Sequence, residues 1–130
     1  MQVHYNIKPK LTDAELKPLF RAAWPHEDDA SYEPVLARSL TYVAAYEGDW
    51  LVGFVNVAWD GGVHAFLLDT TVHPDMQRRG VGTELVTRAA QEARRLGCNW
   101  LHVDFDGHLE NFYRECGFHA TKAGLIDLTQ

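Results

Sequence analysis

The sequence has only two cysteines, no long apolar run and no excess of positive charge. Cys98 and Cys116 do not form the paired spacing of a zinc site. No run approaches the roughly 18 apolar residues of a transmembrane helix, and the polar start lacks the apolar region of a secretory signal. From these absences we expect a cytoplasmic protein with reduced thiols and no membrane partner.

Positive charge is scarce overall but concentrated in one segment. The formal net charge is −6, which disfavours a nucleic-acid partner because backbone phosphates need a wide cationic face. Between positions 78 and 95, however, arginines outnumber glutamates, and the arginines are Arg78, Arg79, Arg88, Arg94 and Arg95. This local concentration of cations suits one small polyanion.

Length and apolar content predict one domain. A chain of 130 residues with 46% hydrophobic residues lies near the commonest domain size and can bury a real core. The sequence contains no internal repeat, low-complexity tract or linker, so we expect a single domain over residues 1–130. A homodimer is compatible with the sequence, which does not decide the oligomeric state.

The first segment predicts a strand followed by a helix. Residues 2–7 alternate as a short strand, and Thr12 with Glu15 forms a capping box for a helix that reaches about position 24. Pro18 lies inside that helix and removes one hydrogen bond. We therefore expect either a kink or a helix that begins near Lys17.

A second short helix and three antiparallel strands are predicted next. Ser31 is a candidate cap for a helix that ends at about Ser39. Aromatic and β-branched residues, separated by glycine-containing turns, then predict strands over positions 41–46, 50–59 and 65–72.

The remaining chain predicts a long helix, a strand, a short helix and a final strand. Apolar residues from Leu85 to Leu96 are spaced along one helical face, and Gly97 can terminate that helix. The other predicted elements are a strand over 100–106, a helical face over 109–116 and strand structure over 118–128. Strand, helix, strand from residue 65 to 106 predicts a parallel crossover joined to an antiparallel meander.

The most informative motif lies between the third meander strand and the long helix, and it reads Gln77-Arg78-Arg79-Gly80-Val81-Gly82. A strand, a glycine turn and a helix start form an anion site, because the first helical N–H groups lack partners and carry a partial positive charge. The third glycine of a dinucleotide fingerprint is replaced by Leu85, and the Gly-Lys-Ser/Thr of a P-loop is absent. The alternative is a glycine turn with two solvated arginines.

This motif resembles the pyrophosphate-binding motif of the GNAT superfamily of N-acetyltransferases, and the order of elements is similar across nearly the whole chain. The resemblance implies an α+β (mixed α/β) fold with a central mixed sheet, mostly antiparallel with one splayed parallel strand pair, flanked by helices. It implies acetyl-CoA as cosubstrate and a primary amine of a small molecule or peptide as acceptor. The implied cofactor-binding residues are Thr71, Val72, Gln77, Arg78, Arg79, Gly80, Val81, Gly82 and Thr83.

The resemblance also implies a proton donor. The string from Asn111 to Phe118 is similar to the final-helix motif of the family, in which a tyrosine lies near the cofactor sulfur, and this assigns the role to Tyr113. The alternative is a core tyrosine with its hydroxyl at the edge. The family often has Asn and a small residue where this chain has Asp106 and Leu109, so cofactor contacts from Asp106 are not expected.

For the general base, Asp69 is the first candidate. A carboxylate in the apolar strand FLLDTTV should have an elevated pKa or a partner. The alternative is a structural Asp bonded to a neighbouring strand end or loop. His73 or a water chain could serve instead, and Trp24, Tyr32 and Trp59 are candidates for the wall of the acceptor pocket.

Two rival functions remain open. His102, Asp104, Asp106 and His108 alternate along a predicted strand, and such donors could serve a metal-dependent hydrolase. Same-face neighbours lie roughly 7 Å apart along a strand, so one ion could take about two of them, and we assign no metal residue. A non-catalytic acyl-CoA sensor would share the cofactor site but lack a working acid and base.

Overall fold

The computed structural model describes residues 2–25 and 29–130. Its strands are β1 (His4–Ile7), β2 (Thr41–Glu47), β3 (Trp50–Trp59), β4 (His64–Val72) and β5 (Trp100–His102). Its α-helices are α1 (Asp13–Ala23), α2 (Glu33–Arg38), α3 (Val81–Arg95) and α4 (Glu110–Glu115), with 3-10 turns over Pro74–Met76 and Gly107–Leu109. Among the described residues, no helix combines the length and apolarity needed to cross a membrane.

The strands form one sheet in the order β1-β2-β3-β4-β5. The first four strands are antiparallel neighbours, whereas β5 lies parallel to β4 after the α3 crossover. The predicted α+β fold, a mostly antiparallel sheet with one parallel pair flanked by helices, is therefore confirmed.

Helices cover both faces of the sheet because successive residues on the central strands point to opposite sides. Val43 belongs to the core cluster that contains the inner face of α3. Its neighbour Ala44 belongs to a second cluster with Leu16 and Phe20 of α1. Each fully buried aliphatic side chain stabilises the fold by about 1.5–3 kcal/mol relative to an exposed one. Strands β2 and β3, which are covered on both faces, are therefore apolar at most positions.

The start of α1 is set by its cap and not by its proline. The Thr12 N–H donates to Glu15 Oε1 at 3.3 Å, and α1 is continuous from Asp13 through Pro18. The alternative of a start near Lys17 is therefore wrong. Pro18 removes one amide donor, while Leu16 and Phe20 on either side of it stay buried against the sheet.

Two other predicted boundaries are corrected. Helix α2 has Tyr32 at its N-cap, although the Ser31 hydroxyl oxygen accepts a bond from the Glu33 N–H at 3.3 Å. Strand β5 ends at His102 instead of Asp106, because its pairing with β4 stops there.

The predicted final strand over 118–128 is also wrong. Residues 118–128 contain no strand, and Leu125, Ile126 and Leu128 are 84%, 85% and 89% exposed. A strand needs a neighbour to satisfy its backbone groups, and β5 offers an edge of only three residues. The apolar composition of the segment therefore did not produce a strand.

Candidate active site

A bulge bends β4 where it approaches the site. The pairing register between β3 and β4 shifts between Phe54 and Asn56, so β4 has an extra residue opposite this step. Asp69 lies in the bulge with a φ of 57°, in the left-handed region that is costly for a residue with a side chain. The bulge turns the Asp69 carboxylate out of the regular alternation of the strand.

A gap opens between β4 and β5 beyond the bulge. The two strands pair only from His64 to Phe66 on β4, whereas β4 itself continues to Val72. Thr71 and Val72 pair with β3 on their other side, and the Thr71 side chain is buried. The splayed parallel pair expected from the sequence is therefore present, and the edge of β4 that faces the gap is unpaired in the described residues.

The QRRGVG segment forms the start of α3. Gly80 is the N-cap residue with a φ of 80°, a conformation that glycine adopts without strain. The Glu84 N–H donates to the Gly80 carbonyl at 3.0 Å. In the described part of the chain, the amides of Val81, Gly82 and Thr83 donate to no protein acceptor. The helix start therefore presents unsatisfied N–H groups beside the end of β4.

The two glycines of the motif have different roles. Gly80 has open space around it, so its backbone conformation is what requires glycine. A Cβ on Gly82 would lie 3.3 Å from Phe112 Cζ and 3.6 Å from Val72 Cγ2. Gly82 therefore admits the Phe112 ring against the helix start.

Three arginines of the cationic segment lie along α3, and two precede it. Arg88 bonds Glu84 at 2.7 Å and lies over the Tyr5 ring at 4.7 Å, and Arg95 bonds Glu92 at 2.8 Å. These two cations are neutralised along α3. Arg78 and Arg79 precede the helix, are exposed and lie nearest in sequence to its unsatisfied amides.

Helix α4 packs over the junction between β4 and α3. Phe112 contacts Gly82, and the Cys116 thiol interacts with the Thr83 side chain. The Tyr113 hydroxyl interacts with the Thr70 side chain, next to the bulge. Tertiary packing thus brings the predicted proton donor, the bulged strand and the amide-lined turn together.

Tyr113 is enclosed by aromatic rings. Its ring stacks on Phe105 with centroids 4.9 Å apart and meets Phe118 edge-on at 5.8 Å. The side chain is 6% exposed, and this burial raises the pKa of the Tyr113 hydroxyl, which the Thr70 contact partly offsets. The phenol is therefore protonated at neutral pH, as a proton donor must be.

Asp69 has a specific partner, Tyr32, that the sequence reasoning did not find. The Tyr32 hydroxyl donates to Asp69 Oδ2 at 2.6 Å from the N-cap of α2. Burial raises the pKa of Tyr32 well above its ordinary value, and the bond to Asp69 raises it further. Among the described residues, no donor bonds the second oxygen, Asp69 Oδ1. Tyr32 and Asp69 are 37 positions apart, and no local sequence pattern indicates that they are in contact.

A buried polar group continues this network behind Tyr32. Asn56 on β3 is 1% exposed and interacts with the Tyr32 hydroxyl. Its Oδ1 accepts a bond from the Ser39 hydroxyl at 2.5 Å. Buried polar groups are costly unless they are bonded, so this pairing stabilises the position of Tyr32.

The other candidate residues occupy different positions. His73 accepts a bond from the Asp75 N–H at 3.1 Å and meets the Trp50 ring at 4.9 Å, so it caps the turn after β4. Trp24 stacks on Phe20 at 4.7 Å, and Trp59 is 41% exposed at the end of β3. Of the three aromatic residues considered for the acceptor pocket, Tyr32 is the one that contacts Asp69.

The rival metal centre does not form. His102 ends β5, Asp104 and Asp106 follow outside any strand, and His108 lies in a 3-10 turn. Within residues 2–25 and 29–130, no group of three or more His, Cys, Asp or Glu side chains is arranged to hold a metal ion. The hydrolase hypothesis depended on four residues that alternate along one strand, and this alternation stops where β5 ends at His102.

Comparison with known proteins identifies the family. The profile described as the acetyltransferase (GNAT) family matches residues 10–118. The chain therefore belongs to the GNAT family of acetyltransferases, as the sequence resemblance predicted. Acetyl-CoA is the acyl donor of this family.

Individual relatives agree with this assignment. The chain is 30% identical over 76 residues to the uncharacterized N-acetyltransferase ycf52 of Gracilaria tenuistipitata var. liui, covering 58% of this chain and 42% of that protein. It therefore spans less than half the length of this curated relative. A GNAT-family acetyltransferase from Streptococcus pneumoniae TIGR4 has the same fold, with a TM-score of 0.82, 23% identity and coverage of 98% of this chain and 99% of that one. Glucosamine-6-phosphate N-acetyltransferase from Arabidopsis thaliana superposes with a TM-score of 0.75 at 13% identity, over 98% and 99% of the two chains.

Proposed function

We propose that this protein is an N-acetyltransferase that moves the acetyl group of acetyl-CoA to a primary amine of a small molecule or peptide. The observation that carries the proposal is the set of unsatisfied amides at Val81, Gly82 and Thr83, beside the gap between β4 and β5. A pyrophosphate satisfies such amides and is favoured by the helix dipole. A related fold, the acetyltransferase of Bacillus subtilis, was solved in complex with CoA, at 22% identity and a TM-score of 0.74 over 93% of this chain and 79% of that one.

The cofactor is expected to lie along the edge of β4. Its pyrophosphate would rest on the turn from Gln77 to Thr83, with Arg78 and Arg79 supplying positive charge. Its amide-bearing arm would enter the gap, where the unpaired groups of β4 near Thr71 and Val72 can bond it as a further strand does. This arrangement directs the thioester toward the bulge at Asp69.

The reaction needs an oxyanion site and a proton donor. The amine nitrogen attacks the thioester carbonyl, and backbone N–H groups of β4 near Val72 stabilise the negative charge that develops on the carbonyl oxygen. The C–S bond then breaks as the amide forms. We assign Tyr113 as the group that gives its proton to the departing thiolate, because its buried phenol is protonated at neutral pH and faces the bulge.

We assign Asp69 as the base that accepts the proton of the amine. Its Oδ2 is fixed by the Tyr32 hydroxyl, and its Oδ1 is bonded by no donor among the described residues. The residue is exposed, so an amine can approach it. An anionic carboxylate at this place also favours a cationic acceptor, since an ammonium group is attracted before it loses its proton.

The test is an acceptor screen that follows release of free thiol from acetyl-CoA. We expect at least one primary amine to be acetylated, with turnover that saturates in both substrates. The Arg78→Ala and Arg79→Ala variants should weaken CoA binding about tenfold each, because a charge-assisted bond contributes roughly 1.5–3 kcal/mol. Arg94→Ala, which removes the same charge from the far end of α3, is the matched control and should bind CoA normally.

Two results would contradict parts of the proposal. If CoA at saturating concentration neither binds nor raises the melting temperature, the cofactor site is wrong. If CoA binds but no amine in a broad panel releases thiol, the protein is a sensor of acyl-CoA and not an enzyme.

A further inference from the structure

Two histidines meet on the face of the sheet outside the proposed active site. His64 begins β4 and His102 ends β5, and Phe66, two residues beyond His64, is the register partner of His102. The His64 Nδ1 and His102 Nε2 atoms are 2.8 Å apart, and the ring centroids are 5.0 Å apart. We infer that His64 and His102 form a site for one divalent transition-metal ion, of the class of Zn²⁺, Ni²⁺ or Cu²⁺.

The distances fit two imidazoles that share an ion. Two nitrogens bound tetrahedrally at about 2.0–2.1 Å lie about 3.3 Å from each other. The two nitrogens therefore need to separate by about half an ångström, which small rotations of the side chains provide. Without metal, one ring donates its N–H to the lone pair of the other, so binding an ion requires the donor ring to shift that proton to its second nitrogen, as a neutral imidazole can.

The surroundings hold the rings and leave the ion accessible. Phe66 stacks on His102 with centroids 4.7 Å apart, which restricts the imidazole plane. The Asp60 carboxylate precedes β4, accepts the Gly62 N–H at 2.7 Å and interacts electrostatically with His64. This nearby negative charge offsets part of the cost of bringing a cation to the face. His102 is exposed, so water can complete the coordination.

The donor set determines which ions should bind. Imidazole nitrogens suit Zn²⁺, Ni²⁺ and Cu²⁺, whereas Ca²⁺ and Mg²⁺ require oxygen ligands. Two protein ligands bind more weakly than the four of a structural zinc site. The ion would join β4 to β5 where the described residues of these strands pair, at the closed end of the gap. Its binding should therefore stabilise the parallel pair.

The experiment uses the full chain without a histidine tag, after treatment with EDTA. Zn²⁺ is titrated by calorimetry, and the side-chain nitrogens of ¹⁵N-labelled histidines are followed by NMR. We expect one Zn²⁺ per chain, shifts confined to His64 and His102, and a higher melting temperature that EDTA reverses. Ca²⁺ and Mg²⁺ should not compete.

Three variants provide the comparison. His64→Gln and His102→Gln keep a hydrogen-bonding side chain but should each weaken Zn²⁺ binding by about tenfold or more, since one ligand of two is lost. His4→Gln, on the opposite edge of the sheet, should bind as the parent does. Equal binding in all three variants, NMR shifts at other histidines, or no binding at millimolar Zn²⁺ would each overturn the inference. The NMR result on the parent chain decides the question even if a glutamine variant does not fold.

Discussion

At the scale of single residues, the site consists of groups whose properties are set by burial and by one partner each. Burial among aromatic rings raises the pKa of the Tyr113 hydroxyl above its ordinary value. Asp69 is held outside the strand alternation by a left-handed backbone and by the Tyr32 hydroxyl. Strained residues such as Asp69 cluster at functional sites.

The first prediction concerns Tyr113. Tyr113→Phe should lower kcat about a hundredfold, because the departing thiolate loses its proton donor, while the affinity for CoA should change less than about threefold. Turnover by thiol release and CoA affinity by calorimetry measure the two quantities. Tyr46→Phe, which removes a hydroxyl from β2, is the control and should retain activity. Unchanged turnover across the pH range would remove Tyr113 from the mechanism.

The second prediction separates Asp69 from its partner. Asp69→Asn should lower kcat about a hundredfold or more and alter the pH dependence of kcat, because the base is lost. Tyr32→Phe keeps the carboxylate and removes only its hydroxyl donor, so kcat should fall about tenfold with little change in KM for acetyl-CoA. If Asp69→Asn left the pH–rate profile untouched, Asp69 would be structural and His73 or a water chain would be the base.

At the scale of elements, the site exists because α4 packs onto the start of α3. The contact is close since Gly82 has no Cβ, and it places Phe112 against Gly82 and Tyr113 beside Thr70. A helix of six residues is marginal on its own, so α4 depends on this packing for its position.

The third prediction tests that contact with a double-mutant cycle. Gly82→Val should lower the free energy of unfolding by about 1–3 kcal/mol, because the added side chain meets the Phe112 ring. Phe112→Ala opens that space, so Gly82→Val should cost less in the Phe112→Ala background than in the parent. Urea unfolding measures all four proteins. Additive effects would show that Gly82 and Phe112 do not constrain each other.

At the scale of the whole molecule, the tyrosines link stability to alkaline pH. Burial is the largest cause of a raised pKa at each of the five tyrosines, which are Tyr5, Tyr32, Tyr42, Tyr46 and Tyr113. In the unfolded chain their pKa returns to about 10. The unfolded state therefore loses these protons first as pH rises.

The fourth prediction follows from this order of ionisation. The contribution of the buried phenols to stability should be complete below about pH 10 and should decrease as pH rises above it. Urea midpoints measured from about pH 8 to about pH 11 check the trend. Tyr32→Phe should show a smaller decrease than the parent, since Tyr32 has the largest upward shift. An equal decrease in both proteins would mean that other groups cause the alkaline loss.

Local patterns in the sequence were sufficient for most elements. The capping box at Thr12, the turn at Gly48 and the glycine N-cap at Gly80 each depend on neighbours within a few residues, and each is present in the structure. The corrections concern the alternative start of α1 near Lys17, the cap of α2, the extension of β5 and the strand over 118–128. A strand depends on a partner that is often far away in sequence, and composition alone does not provide that partner.

The sequence by itself indicated the family, through the resemblance of its motifs, and it indicated most of the elements and the amide-lined turn, because local periodicity and glycine positions encode these. Only the tertiary structure decided that Tyr32 bonds Asp69, that Gly82 makes room for Phe112 and that His64 meets His102. Each of these contacts joins residues 30 or more positions apart, separated by 37, 30 and 38 positions. Such contacts arise when sheet register and helix packing place distant side chains together, and no local pattern specifies them.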